Sequence, residues 1–102
     1  MSKYRTVHTL KTLAPFYYAV MGGEKTFEIR KNDRQFQKGD LLVLDLYEPD
    51  AQTKNSVIRP VSIYCEVTWV LAGGQFGIEP GYAGLAIRNL VLQEFNELRG
   101  PF

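Results

Sequence analysis

The spacing of apolar and polar residues predicts a chain made mostly of β-strands. Residues 25–30 alternate clearly, with Phe27 and Ile29 on one face and polar side chains on the other. Residues 41–47 are almost continuously apolar, as in a strand buried on both faces for part of its length. Pro60 would mark an edge or a bulge, because proline has no N–H for a sheet ladder. The predicted strands are 6–11, 25–30, 41–47, 57–58 together with 61–71, and 85–88.

Two short helices and two loops separate these strands. A helix over 13–21 starts near Pro15, which is tolerated in a first turn, and stops at the glycines 22–23. A second helix is predicted over 91–98. Residues 49–56 are polar and suit a hairpin loop, whereas 72–84 form a long glycine-rich loop of a kind that is often functional.

This order of elements predicts an α+β fold. The strands follow one another with little β-α-β alternation, which favours a small curled antiparallel β-barrel with one or two short helices. The helix over 13–21 would pack at one mouth of the barrel. A length of 102 residues predicts one domain over 1–102.

Composition excludes several classes of protein. The chain is 45% hydrophobic with a net charge of +1, which argues against disorder. No apolar run approaches the roughly 18 residues of a membrane span, so we expect no membrane partner. One cysteine and one histidine exclude cysteine-based and multi-histidine metal sites, and we expect no metal and no cofactor. Without an apolar leader, a reducing cytoplasm is the expected location.

Positive charge is concentrated in the first part of the chain. Residues 1–40 hold eight Lys and Arg against four Asp and Glu, whereas 41–102 hold four against seven. The two segments therefore carry net charges of +4 and −3. This uneven distribution of charge indicates either a cationic face or an ordinary random scatter of charged residues along the sequence.

The densest group of candidate site residues lies in segment 23–34. Strand alternation places Glu28 and Arg30 on one face, where a carboxylate–guanidinium contact could fix Arg30 to receive a phosphate or a base edge. The plainer interpretation is a solvated strand face with an exposed ion pair worth about 0–1 kcal/mol.

Other candidates are weaker. His8 is expected to be a hydrogen-bonded structural residue, and Cys65 a buried small apolar residue. The loop over 72–84 is rich in glycine but lacks the glycine motifs that bind phosphate. It is therefore interpreted as either a flexible turn or a loop that lines a ligand site. Its Phe76 and Tyr82 could stack on a base or cap the core.

Segment 23–30 resembles the Gly-x-Lys-x-x-Glu-x-Arg signature of ASCH domains, which belong to the PUA-like superfamily. The resemblance extends over residues of about 6–89, through segments 8–11, 30–34, 39–40 and 73–79. It implies a small β-barrel whose signature strand lines a cleft that binds RNA or a modified nucleoside or nucleotide.

The resemblance also implies roles for single residues. Lys25 and Arg30 would meet phosphate or base oxygens, and Glu28 would orient Arg30 or accept from an exocyclic amine. The remaining candidate ligand-binding residues are Lys11, Thr26, Arg34, Gln75 and Tyr82.

An alternative function comes from small ASCH proteins that hydrolyse the acyl amide of N4-acetylcytidine. They use a lysine, a threonine three positions later and a distant glutamate. The lysine corresponds to Lys25, but the threonine position holds Glu28, and Glu79 is a candidate for the distant acid. Thr26 lies close to the expected position without matching it. The candidate catalytic residues are therefore Lys25, Glu28 and Glu79, and the substitution favours binding over hydrolysis.

Overall fold

A computed structural model describes residues 5–48 and 61–101, which form five strands and two helices. The predicted hairpin loop, the strand at 57–58 and Pro60 lie outside these residues. The elements are β1 (Val7–Leu13), α1 (Ala14–Met21), β2 (Phe27–Lys31), β3 (Leu41–Tyr47), β4 (Ile63–Ala72), β5 (Tyr82–Leu90) and α2 (Leu92–Arg99). Within the described residues both predicted helices are confirmed, and each segment that was predicted to be a strand forms one.

The largest difference from the sequence prediction is at β5, which starts at Tyr82 rather than at residue 85. The predicted loop over 72–84 is therefore shorter, because Ala72 ends β4 and Ala83 and Gly84 pair with it. Gly84 suggested a loop, yet it lies within a strand. A Cβ atom there would lie 3.1 Å from the Cδ1 atom of Ile78, so the missing side chain makes room for close packing.

The strands form a single sheet in the order β1-β3-β4-β5-β2. β3, β4, β5 and β2 pair antiparallel, as expected, but β1 pairs with β3 in parallel. The predicted curled sheet is therefore confirmed as mostly antiparallel, with this one parallel pair. The chain passes through α1 and β2 between β1 and β3, and such a long connection allows two strands to run in the same direction.

The sheet curls into a half-barrel, which brings its two end strands together. Arg30 of β2 donates to the carbonyl oxygen of Lys11 at 3.1 Å and to the hydroxyl of Thr12 at 3.0 Å. Both acceptors belong to β1, the strand at the opposite edge of the sheet. Arg34 donates to the carbonyl oxygen of Thr9 at 3.0 Å. We call this gap between β1 and β2 the seam. Arginine side chains bridge it in place of a hydrogen-bonded ladder.

The core fills the inside of the half-barrel. α1 covers it with Tyr17 and Val20, and Asn89 of β5 donates to the carbonyl of Val20 at 2.9 Å. α2 packs on the other side through Phe95. The main cluster is Leu10, Tyr17, Val20, Phe36, Leu42, Leu44, Ile63, Cys65, Val67, Ala83, Leu85 and Ile87. The predicted burial of Cys65 is therefore confirmed.

His8 has the structural role that was predicted for it. Its Nε2 atom lies 2.8 Å from Oδ2 of Asp40, and both residues are buried. The same carboxylate oxygen accepts from the backbone N–H of Gln37 at 2.9 Å. The pair therefore ties β1 to the turn that precedes β3.

The helices of the described residues are eight residues long each, and neither is long and apolar enough to cross a membrane.

Candidate functional site at the seam

β2 turns its polar face inward and its apolar face outward. Glu28 is only 3% exposed, whereas Phe27 and Ile29 are 51% and 50% exposed. The alternation is confirmed, but the interpretation as a solvated polar face is wrong. Glu28 pairs across the sheet with Leu85, which faces the core, and paired residues share a face. The register with β5 thus forces the carboxylate into the half-barrel.

The buried carboxylate of Glu28 is held between two cations. One oxygen, Oε2, accepts from the Lys25 ammonium. The other, Oε1, accepts from Nε of Arg30 at 2.8 Å and lies 2.7 Å from its Nη2. The predicted contact between Glu28 and Arg30 is confirmed, and Lys25 completes it. Such compensation is required, because an unpaired buried charge is strongly unfavourable.

Arg30 is fixed further by β1. Thr12 accepts from Nη2 of Arg30 at 3.0 Å and is almost fully buried. The predicted strand ended at residue 11 and the predicted helix began at residue 13, so the sequence analysis did not single out Thr12. An available signal was the alternation of β1, in which His8, Leu10 and Thr12 share the inward face.

A pocket of about 410 Å³ opens at the seam above this cluster. Lys25 Nζ lies 4.8 Å from the ring centroid of Phe27 and 5.7 Å from that of Phe16, so the ammonium stands between two half-exposed rings. The lining residues are Lys11, Thr12, Leu13, Phe16, Lys25, Phe27, Glu28, Ile29 and Arg30. Apolar walls around a few polar groups suit a flat ligand with a polar edge.

The charged groups of the pocket leave a positive excess. Lys25 and Arg30 carry two positive charges against the one of Glu28, and Lys11 adds a third cation at the rim, 5.2 Å from the ring of Tyr47. Cys65 lies behind this cluster in the core. Burial, and then the charge of Glu28, raise the pKa of its thiol to about 12, with Lys25 acting in the opposite direction. The thiol is therefore neutral, and it is not a candidate nucleophile.

Four of the predicted site residues line the pocket: Lys11, Lys25, Glu28 and Arg30. Thr26 does not, since its side chain is exposed and its carbonyl accepts from the N–H of Ile87 at 3.0 Å. Arg34 lies farther along the seam, on the carbonyl of Thr9.

The predicted residues near the glycine-rich loop also lie outside the pocket lining. Gln75 donates to the carbonyl of Ala72 at 2.9 Å, within its own loop. Glu79 is exposed, and Tyr82 pairs with Lys31 at the end of β2. The structure therefore builds the pocket from β1, α1 and β2 and not from the loop.

Comparison with known protein families places the chain in a family. No match was found among curated proteins. The model of the family DUF3850, described as a domain of unknown function, matches residues 7–87. This range runs from the start of β1 into β5 and includes every residue that lines the pocket. The chain therefore belongs to the DUF3850 family.

Proposed function

We propose that this protein is an ASCH-like binding module that holds a nucleobase, as a nucleoside or within RNA, in the seam pocket. One observation carries the proposal: β2 buries Glu28 between Lys25 and Arg30 while it exposes Phe27 and Ile29. Burial of a charged cluster beneath exposed apolar side chains is costly for stability alone, and it is common where a ligand binds. The ASCH-like signature falls on this strand and supports the same conclusion.

The charged side chains of the pocket differ in exposure, which indicates different roles for them. The side chains of Lys25 and Arg30 are 17% and 22% exposed, whereas that of Glu28 is 4% exposed. The two cations therefore meet the ligand, and Glu28 positions them. Of the two roles considered for Glu28, orientation of Arg30 is the one that this burial favours.

The ligand that fits this pocket is a base with an acceptor oxygen rather than a polyphosphate. Nε, Nη1 and Nη2 of Arg30 already donate to Glu28, Lys11 and Thr12, so few free N–H donors remain for the several oxygens of a polyphosphate. Phe16 lines the pocket and is half exposed, and it offers a ring of the kind on which bases stack. A keto oxygen at the edge of the stacked base would then accept from Lys25 or Arg30.

Thermal unfolding with added ligands tests this proposal. A compound that binds only the folded protein raises its stability by mass action, so we expect nucleosides to raise Tm and inorganic phosphate alone to have no effect. Arg30→Ala should abolish the nucleoside effect. Arg34→Ala is the matched control, because Arg34 also bridges the seam but does not line the pocket. Equal loss in both variants, or stabilisation by phosphate alone, would contradict a base-binding pocket.

Amide hydrolysis is the second candidate function, and one observation favours it. The pocket brings the hydroxyl of Thr12 into the same cluster as Lys25 and Glu28, although the motif lacks the expected threonine. A hydroxyl can act as the nucleophile in acyl transfer when a neighbouring amine or carboxylate acts as its base. Release of cytidine from N4-acetylcytidine is the assay, with Lys25→Ala and Thr12→Val as variants. Turnover that both changes abolish would establish an enzyme, and no turnover by the wild type would leave binding as the function.

A further inference from the structure

The outer face of strands β4, β5 and β2 carries exposed aromatic side chains. Trp69 pairs with Ala86, and Ala86 pairs with Phe27, so the three residues form one row across the sheet. Residues paired in this way share a face, and Trp69 is 60% exposed. The next row is apolar too and consists of Leu71, Gly84 and Ile29.

A β-bulge places Trp69 on this outer face. The pairing of β4 with β5 shifts between Val67 and Trp69. Val67 is fully buried, and in a regular strand a residue two positions later would also face the core. The extra residue reverses that direction. Bulges commonly re-aim a side chain close to a functional site, and here the result is an indole in solvent.

Lysine side chains lie close to the rings of Phe27 and Trp69. Lys38 Nζ lies 5.7 Å from the ring centroid of Trp69, and Lys25 lies over Phe27. Lys31 follows Phe27 and Ile29 on the outward face of β2 and is exposed.

The neighbouring carboxylate does not cancel this positive charge. Glu66 precedes the bulge on the same face, and it is engaged by both Arg5 and Arg88. Exposed rings flanked by lysines are complementary to a strand of stacked bases and phosphates.

We propose that this face binds single-stranded nucleic acid, with bases stacked on Phe27 and Trp69 and phosphates near Lys31 and Lys38. We call these four residues the outer platform. Phe27 also lines the seam pocket, so a strand whose base occupies the pocket continues directly onto the platform. The inference rests on the proposed function and extends it from one base to several nucleotides.

The fluorescence of Trp69 reports on this surface directly, because it is the only tryptophan in the chain. A short oligouridine RNA should quench this fluorescence, whereas free uridine, which occupies only the pocket, should not.

Substitutions at the same position identify the type of contact. Binding of the RNA by fluorescence anisotropy of a labelled strand should weaken roughly 5-fold to 100-fold in Trp69→Leu, the range for loss of one stacked base. Trp69→Phe should retain most of the affinity. Leu92→Ala, at an exposed apolar residue of α2, is the control and should bind as the wild type does.

Salt dependence tests the lysines. Lys38→Gln should reduce the slope of log K against log salt by about one. Arg88→Gln removes the same charge from the same face, but Arg88 is engaged by Glu66 and Glu94, so its slope should remain unchanged. Equal slopes in both variants would contradict phosphate contact at Lys38.

The failures of the two proposals are distinguishable. If uridine binds and Trp69→Leu leaves RNA affinity unchanged, the platform is wrong and the pocket stands. If no nucleoside binds but RNA still quenches Trp69, the pocket is wrong and the platform stands. A concentration-dependent dimer in sedimentation that Trp69→Leu dissolves, without any RNA effect, would overturn the platform in favour of self-association.

Discussion

Replacement of Glu28 by glutamine tests the charge arrangement on which the site depends. The change keeps the size of the side chain and removes its charge, so Lys25 and Arg30 are left next to one another without a counter-ion. We expect the protein to lose stability, because two like charges then face each other at a largely buried position.

The expected loss follows from burial. Removing one partner of a fully buried ion pair costs about 3–5 kcal/mol. Lys25 and Arg30 keep partial contact with solvent, which screens part of this cost, so we expect a loss of about 2 kcal/mol. For a domain of this length that corresponds to a fall in Tm of roughly 10 °C.

Urea unfolding followed by circular dichroism measures this loss, provided that the m-value is unchanged. Glu94→Gln is the control, because Glu94 meets Arg88 at 3.2 Å with both side chains more than 40% exposed, and it should cost about 0–1 kcal/mol. A loss in Glu28→Gln no larger than that of the control would refute the view that the buried carboxylate holds the two cations.

Three further predictions concern residues away from the pocket lining. Cys65 should resist iodoacetamide at pH 8 until the protein unfolds, because burial above all raises the pKa of its thiol to about 12; rapid labelling of the native protein would contradict this. Burial acts to raise the pKa of Glu66, but hydrogen bonds from two arginines outweigh it and lower the pKa below the ordinary 4.5. The ionised carboxylate therefore stabilises the fold at pH values above the pKa that Glu66 has in the unfolded chain. This stabilisation is lost as the pH falls through the lower pKa of the folded protein. Glu66→Gln should therefore flatten the acid side of a plot of unfolding free energy against pH. A Cβ at Gly73 would overlap two backbone carbonyl oxygens, so Gly73→Ala should lower the free energy of unfolding in urea by about 2 kcal/mol or more. The control is Gly22→Ala, where the added Cβ would make only an ordinary van der Waals contact. It should change the free energy of unfolding by less than about 0.5 kcal/mol.

Local rules were sufficient for most of the secondary structure. The apolar run of β3 was predicted with its observed bounds, and α1 begins beside Pro15 and ends at Gly22 as expected. The curled α+β fold is confirmed as well, and the predominance of strands with little β-α-β alternation was the signal for it. The pairing of Glu28 with Arg30 was also predictable, since residues two apart in a regular strand share a face.

Only the tertiary structure decided which way each strand faces and which distant residues meet. Alternation defines two faces of a strand but does not say which is buried; the register of β2 on β5 buried Glu28, against the usual preference. Closure of the seam brought Thr12 of β1 to Arg30 of β2 from opposite ends of the sheet. A shift in pairing of β4 with β5 turned Trp69 outward. These outcomes depend on contacts between segments far apart in the chain, and a periodic pattern within one segment carries no information about such contacts.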